Sequence, residues 1–317
     1  MTETAQNAGA TRLIAGSALR GSVRDHTVSL LAGLFLLLVL VSAYLGWSAT
    51  NTVNAIYLQA ADMFRTRGAE VPINPVTDTS PLSLLRNMAT YVALIGALSA
   101  LMLGHRSVAV DRKAGVLPLL ASRPFGLRDY ALGKLAGTAA AIVGVLALAA
   151  SVSAVTLLLL PGLTLSADEW MNLAAFFGVS AVYMLAFGML GILFAMLMRS
   201  ESVALLVPVL IWLTVSFVVP QLTSNINPMA ALNPLSANAA PPDDAFFHWM
   251  SAVLGPLSLV ESYRVVAASL LDYLPPDLPH TNLGVAMASL LMADAVLLVC
   301  ILFAVKRMDF CSGDFNE

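Results

Sequence analysis

Asp111–Lys134, DRKAGVLPLLASRPFGLRDYALGK, is the stretch on which the reading of this chain turns. It carries five of the sixteen basic residues and lies between two long uncharged runs, 87–104 and 135–160. A basic, partly apolar segment flanked by runs of bilayer length must sit at one face of a membrane, and its positive charge assigns it to the cytoplasmic face. Leu117, Leu119, Leu120, Phe125 and Leu127 are too many apolar groups for a solvated loop. Leucine and phenylalanine among arginine and lysine suit a short amphipathic helix lying on the membrane or on a protein partner. Gly115 and Pro118 mark a break followed by a helix start, and Pro124 with Gly126 a second break. The segment reads as a docking element. Leu117, Leu120 and Phe125 would be its apolar knobs, and Asp111, Arg112 and Arg123 the charges that orient it.

The composition around this segment agrees. The chain has 317 residues, 59% of them hydrophobic and 11% charged, with a mean hydropathy of +0.83. Soluble domains hold roughly 25% charged residues, so a soluble enzyme is excluded and an integral membrane protein indicated. The net charge of −3 gives no reason to expect a nucleic-acid partner. The two cysteines, Cys300 and Cys311, fall at the end of the last apolar run and just past it, which argues against a disulfide framework. The first apolar run is about twenty residues long without a small-x-small exit, so it is expected to stay as a span.

Hydropathy places six spans at 28–47, 87–104, 135–160, 171–198, 203–220 and 283–305, each uncharged except the last, which holds Asp294. The third and fourth are long enough to tilt or project. With the N-terminus inside, the inner segments hold twelve Lys and Arg and the outer ones only Arg65, Arg67, Arg86 and Arg264. That bias puts both termini in the cytoplasm. Residues 11–26 set Arg12, Arg20 and Arg24 among apolar side chains, which fits either an interfacial elbow helix or a solvated flank of the first span.

The fold expected is therefore all-α and integral to the membrane, with six spans, an elbow helix, a cytoplasmic segment at 105–134 and two large periplasmic loops. Residues 48–86, with Pro72, Pro75 and Pro81, read as an irregular excursion. In 221–282, two Asn-Pro turns precede a helical stretch whose Leu259, Val260, Tyr263, Val266, Ala267, Leu270 and Leu271 form an apolar stripe. That stripe should pack on the outer ends of the spans or on a partner. A re-entrant hairpin at 245–260 is the alternative, since so short a run cannot span.

At this point the 111–134 pattern resembles the coupling segment of ABC-2-type exporter permeases, and is most similar to those that accompany nitrous-oxide reductase maturation. The matching positions are Asp111, Arg112, Gly115, Leu117, Leu119, Leu120, Ser122, Pro124, Gly133 and Lys134, while Lys113, Val116 and Pro118 depart from the pattern. SLVESYRVVA, which contains Tyr263 and Arg264, is similar to a helix that family members carry in the last outer loop. The resemblance implies a homodimer in a bacterial inner membrane, bound to two copies of an ABC ATPase subunit. ATP and Mg would sit on that partner, with no cofactor in this chain, and ATPase closure would push the segment. The large outer loops leave room for a periplasmic partner.

Other candidate chemistry is sparse. No phosphate-binding loop is present: Gly133-Lys134 is followed by Leu135 and preceded by Arg128 where the first glycine belongs. Asp294, in mid-span, fits a proton or substrate site, or else a hydrogen-bonded packing residue. Met184, Met189, Met196 and Met198, with His248 and Met250, hold the atom types for copper, but the span methionines share no helical face and suit packing better. His105 reads as an interfacial residue. Gly133, Gly137, Ala140 and Gly144 form a small-residue face for close packing, within the subunit or across a dimer. Pro208 should kink the fifth span. The rival reading is an ion-coupled carrier or membrane-embedded enzyme built on Asp294, which would want several converging polar groups and an internal repeat, and no repeat is evident.

Overall fold

The computed structural model describes residues 11–21, 26–68, 70–71, 74, 80–115, 117–118, 126–159, 165–223, 245–255, 258–273 and 282–308. Among them are six helices long and apolar enough to cross a membrane, and no strand. The elements are α1 (11–21), α2 (His26–Thr66), α3 (Arg86–Tyr91), α4 (Ala97–Lys113), α5 (Leu127–Leu159), α6 (Ala167–Leu197), α7 (Glu201–Leu213), α8 (Val219–Thr223), α9 (Ala245–Leu254), α10 (Leu259–Leu270) and α11 (Leu283–Arg307). A π-turn at Val92–Gly96 joins α3 to α4, and another at Thr214–Val218 joins α7 to α8. The end of the bundle that holds α1 and the last turn of α11 is called proximal here, and the opposite end distal.

Local chemistry explains where the spans start. Ser166 and Glu169 close a full capping box on α6, satisfying amide groups that a helix start leaves orphaned. Ser80 caps a 3-10 turn at Pro81–Leu85 and donates to Glu169 Oε1 at 3.4 Å, tying two span starts together at the distal end. Asn282 caps α11 by accepting from the Gly284 amide at 3.0 Å. Ser258 caps α10 through the Glu261 amide.

The spans are longer than hydropathy suggested. α2 runs 41 residues without a break, so the stretch 48–66 read as irregular is helical. Its Asn, Gln, Thr and Ser lowered hydropathy, but no proline or glycine interrupts it after Gly46. α4 likewise continues past Gly104 to Lys113, and α5 starts at Leu127. The connecting segment expected at 105–134 thus shrinks to 114–126.

α4 and α6 form the central pair. A Cβ added at Gly104 would strike the Gly188 carbonyl, and one at Gly191 the Leu101 carbonyl, so these backbones touch because the side chains are absent. The Gly133/Gly137 face has a partner within the subunit: Ile14, Ala15 and Ala18 of α1 lie against it. That contact seats the elbow helix, whereas Gly144 meets nothing within 4 Å.

The apolar stripe of the distal helix α10 packs on two of the spans. It wedges between α6 and α11, with Val260, Ser262, Tyr263 and Val265–Ala268 all buried. The Tyr263 ring stacks on Tyr183 with centroids 4.4 Å apart, and its hydroxyl lies 2.9 Å from Ser180 Oγ. Ser180 is thirteen residues into α6, about 20 Å along its axis. Ser262 meets Ser289 of α11, their hydroxyls 2.8 Å apart. Arg264 is half-buried, within electrostatic reach of Tyr183 and Tyr273. α9 packs on α8. Ser262 falls beside the apolar stripe of this helix, and the hydroxyl it meets on α11 is what permits its burial. The Tyr183 hydroxyl in turn donates to the Ala93 carbonyl at 2.9 Å, inside the first π-turn, where the helix ladder is locally disrupted.

Candidate coupling base at the proximal end

Four helix ends converge where the 111–134 segment leaves and re-enters the bundle. Asp111, on the last turn of α4, pairs with Lys134 Nζ of α5 at 2.7 Å and accepts from the Tyr130 hydroxyl at 3.0 Å. Lys134 is 3% exposed and lies 5.5 Å from the Tyr130 ring centroid. A buried ammonium needs a carboxylate and further partners to offset its desolvation, and this one has both carboxylate and ring. The pair fixes the end of α4 against the start of α5.

Arg112 points the other way. Its guanidinium donates to the Met198 carbonyl and, at 3.5 Å, to the Met196 carbonyl. These are among the last carbonyls of α6, which no helical amide reaches and where the helix dipole favours a cation. Lys113 adds a bond to Glu201 at 2.8 Å, linking α4 to the first turn of α7, but both groups are solvated and this pair adds little to stability. Gly115 follows at φ +60°, the left-handed bend that ends α4. Leu117 is 0% exposed, in a cluster with Val108, Tyr130, Met189, Ile192 and Val305.

Asp111, Arg112 and Leu117 were expected to face a partner; in the subunit all three turn inward. The physical reason is the same for each: near a membrane surface an unpaired charge or bare leucine is costly, and the neighbouring helix ends offer partners. Lys134 and Tyr130, which complete the network, were not among the candidate site residues. Lys134 stood in the 111–134 pattern without a role, and the spacing 111 to 134 has no periodic signature that would pair it with Asp111 or point to Tyr130. Leu120, Arg123, Pro124 and Phe125 lie outside the described residues.

The remaining candidates scatter. Asp294 occupies the packed side of α11, in step with Leu290 and Ile301, and its Oδ1 is enclosed without a hydrogen-bond partner. His105, expected at an interface, is 2% exposed, with its backbone against Gly191. Met184, Met189 and Met196 are buried packing residues; the Met184 sulfur rests against Gly96. Among the described residues no three His, Cys, Asp or Glu side chains gather as a metal site.

A comparison with curated protein sequences finds no match. A family model described as ABC-2 family transporter protein matches residues 12–310, nearly the whole chain. That match takes in nearly all of α1, all six spans and the Asp111–Lys134 cluster between them. The chain therefore belongs to the ABC-2 transporter family, as the multi-pass membrane component of an ABC system.

Proposed function

We propose that this chain is the permease of an ATP-driven exporter, of the kind that accompanies nitrous-oxide reductase maturation. It works as a homodimer in a bacterial inner membrane, with both termini cytoplasmic and two copies of a separate ABC ATPase at the proximal end. ATP and Mg bind that ATPase. The distal loops meet a periplasmic partner. The observation that carries this reading is the convergence of α4, α5, α6 and α7 on Asp111, Arg112, Lys113 and Lys134. A push on the 114–126 connection is delivered at once to four helices, because both of its ends are clamped and Arg112 grips the end of α6.

In this mechanism Leu120 and Phe125 are the knobs and Arg123 the orienting charge, while Pro124 shapes the turn. Asp111, Arg112 and Leu117 hold the base that the knobs push against. Truncating a buried anchor often removes over ~2 kcal/mol of binding, more than roughly twentyfold in affinity. Leu120→Ala with Phe125→Ala should release the ATPase in pull-down and lower the ATP turnover of the complex, while the permease still inserts. Full retention of both would sink the coupling assignment.

The enclosed, unpartnered Oδ1 of Asp294 favours a second reading, an ion-coupled carrier working through that carboxyl. Under the exporter reading Asp294→Asn is nearly silent, since it keeps shape and an acceptor oxygen. Transport abolished at normal expression would instead support the carrier.

A further inference from the structure

The two π-turns have different origins. At Thr214–Val218 the cause is covalent: Pro220 has no amide to offer the Ser216 carbonyl four residues earlier, and the ladder widens there. Nothing comparable follows Val92–Gly96, since no proline lies within 97–117. There the Ala97 amide, which an α-helix would give to the Ala93 carbonyl, is shared between the Val92 and Leu94 carbonyls. The Ala93 carbonyl accepts from another helix, the Tyr183 hydroxyl of α6 at 2.9 Å. Ala93 and Tyr183 are both 0% exposed, so bulk water cannot stand in for that donor. A tertiary contact holds the first π-turn. Two further contacts reach it through α10. The Tyr263 ring, stacked on Tyr183 at 4.4 Å, fixes the phenol that makes the bond. α10 also packs on α3 and on the π-turn itself. α3 is only six residues long, with a tightly wound 3-10 turn ahead of it at Pro81–Leu85 and the wide π-turn behind. Those two turns decide its rotational setting relative to α4.

We propose that α10 is a catch on the register of the second span. With Tyr263 on Tyr183, the π-turn is kept and α3 holds its present setting. With that stack parted, the Ala97 amide returns to Ala93 and the turn closes to α-helix. α3 then rotates relative to α4 by about one residue, ~100° and ~1.5 Å. The 3-10 turn at Pro81–Leu85 absorbs the change. A partner that displaces α10 at the distal end thus resets the packing of α3 without touching it. By linkage the two positions bias one another equally, so a change made at the π-turn must be felt at α10. The proposal needs only the packed bundle, and its failure would leave the exporter reading intact.

The test is double electron–electron resonance on the full-length protein, with Cys300→Ser and Cys311→Ser so that only introduced cysteines carry spin labels. One pair joins Thr90→Cys on the exposed side of α3 to Asp168→Cys at the exposed start of α6. A second joins Ser269→Cys of α10 to the same Asp168→Cys. With Tyr183 and Tyr263 intact, each pair should give one distance. Tyr183→Phe keeps the ring and its stack but lacks the donor. It should add a second distance to the α3 pair, displaced by about 8 Å, the swing of a side chain ~5 Å from the helix axis through ~100°. The α10 pair should shift as well, because α3 cannot turn without displacing the helix packed on it. Tyr263→Leu should give the same second distance by releasing Tyr183 from the other side, and Tyr183→Phe carries the test alone if that variant does not fold. A single unshifted distance for both pairs in Tyr183→Phe overturns the catch. A shift in the α3 pair alone overturns the part given to α10.

Discussion

Lys134→Met should lower the unfolding temperature of the detergent-purified protein by roughly 5–10 °C. The reasoning starts from Asp111, whose carboxylate would lose its partner at 2.7 Å while remaining enclosed beside Tyr130. Breaking a buried pair from one side costs about 3–5 kcal/mol, mostly through the charge left behind. Replacing both members removes that charge, so Asp111→Asn with Lys134→Met should recover more than half of the lost stability. Lys134→Arg should fall between, because the cation is kept but its geometry is not. A single variant as stable as wild type would mean that the pair does not hold α4 to α5. A double variant no better than the single would mean that the loss came from packing instead.

The second large effect belongs to Gly104. Its missing Cβ would strike the Gly188 carbonyl, and backbone cannot swing aside as a side chain end can. Gly104→Ala must therefore separate α4 from α6, and overpacking of this sort costs about 1–3 kcal/mol, at times more. Gly104→Leu should fail to yield folded protein. Gly144 is the control: it is helical and nothing lies within 4 Å of a Cβ built there, so Gly144→Ala should be neutral or stabilising by about 0.5–1 kcal/mol. Fluorescence-detected size exclusion and thermal unfolding read both. If Gly104→Ala and Gly144→Ala behave alike, the close approach of α4 and α6 is wrong.

These two sites also mark what a sequence can and cannot disclose. Apolar runs announce themselves one by one, so hydropathy alone is enough to locate all six spans. It does not locate their ends: hydropathy falls at Ser48 and His105, but the helices continue, carrying Gly46 and Gly104 inside them with no proline to stop them. Pairing between spans leaves no local mark either. Gly133 and Gly137 advertise a close contact without naming its partner, which proved to be α1. Leu117 reads identically whether it faces an ATPase or its own bundle, and only the position of Val108, Tyr130 and Val305 decides. The family resemblance is carried by residues of the 111–134 segment, and part of their pattern, Asp111 to Lys134, is a contact that ties α4 to α5.

The length of α2 has a mechanical consequence. At 41 residues it is a rod of about 60 Å, some twice the thickness of a bilayer's hydrocarbon core. Gly46 lies against the Leu84 backbone near its middle, with about 30 Å of helix beyond it. A rod pivoting there obeys the arithmetic of a lever: a tilt of about 10° moves a tip some 30 Å away by about 5 Å. An angular change too small to part the packed helices of the bundle would thus become, at Thr66, a displacement of atomic-contact scale.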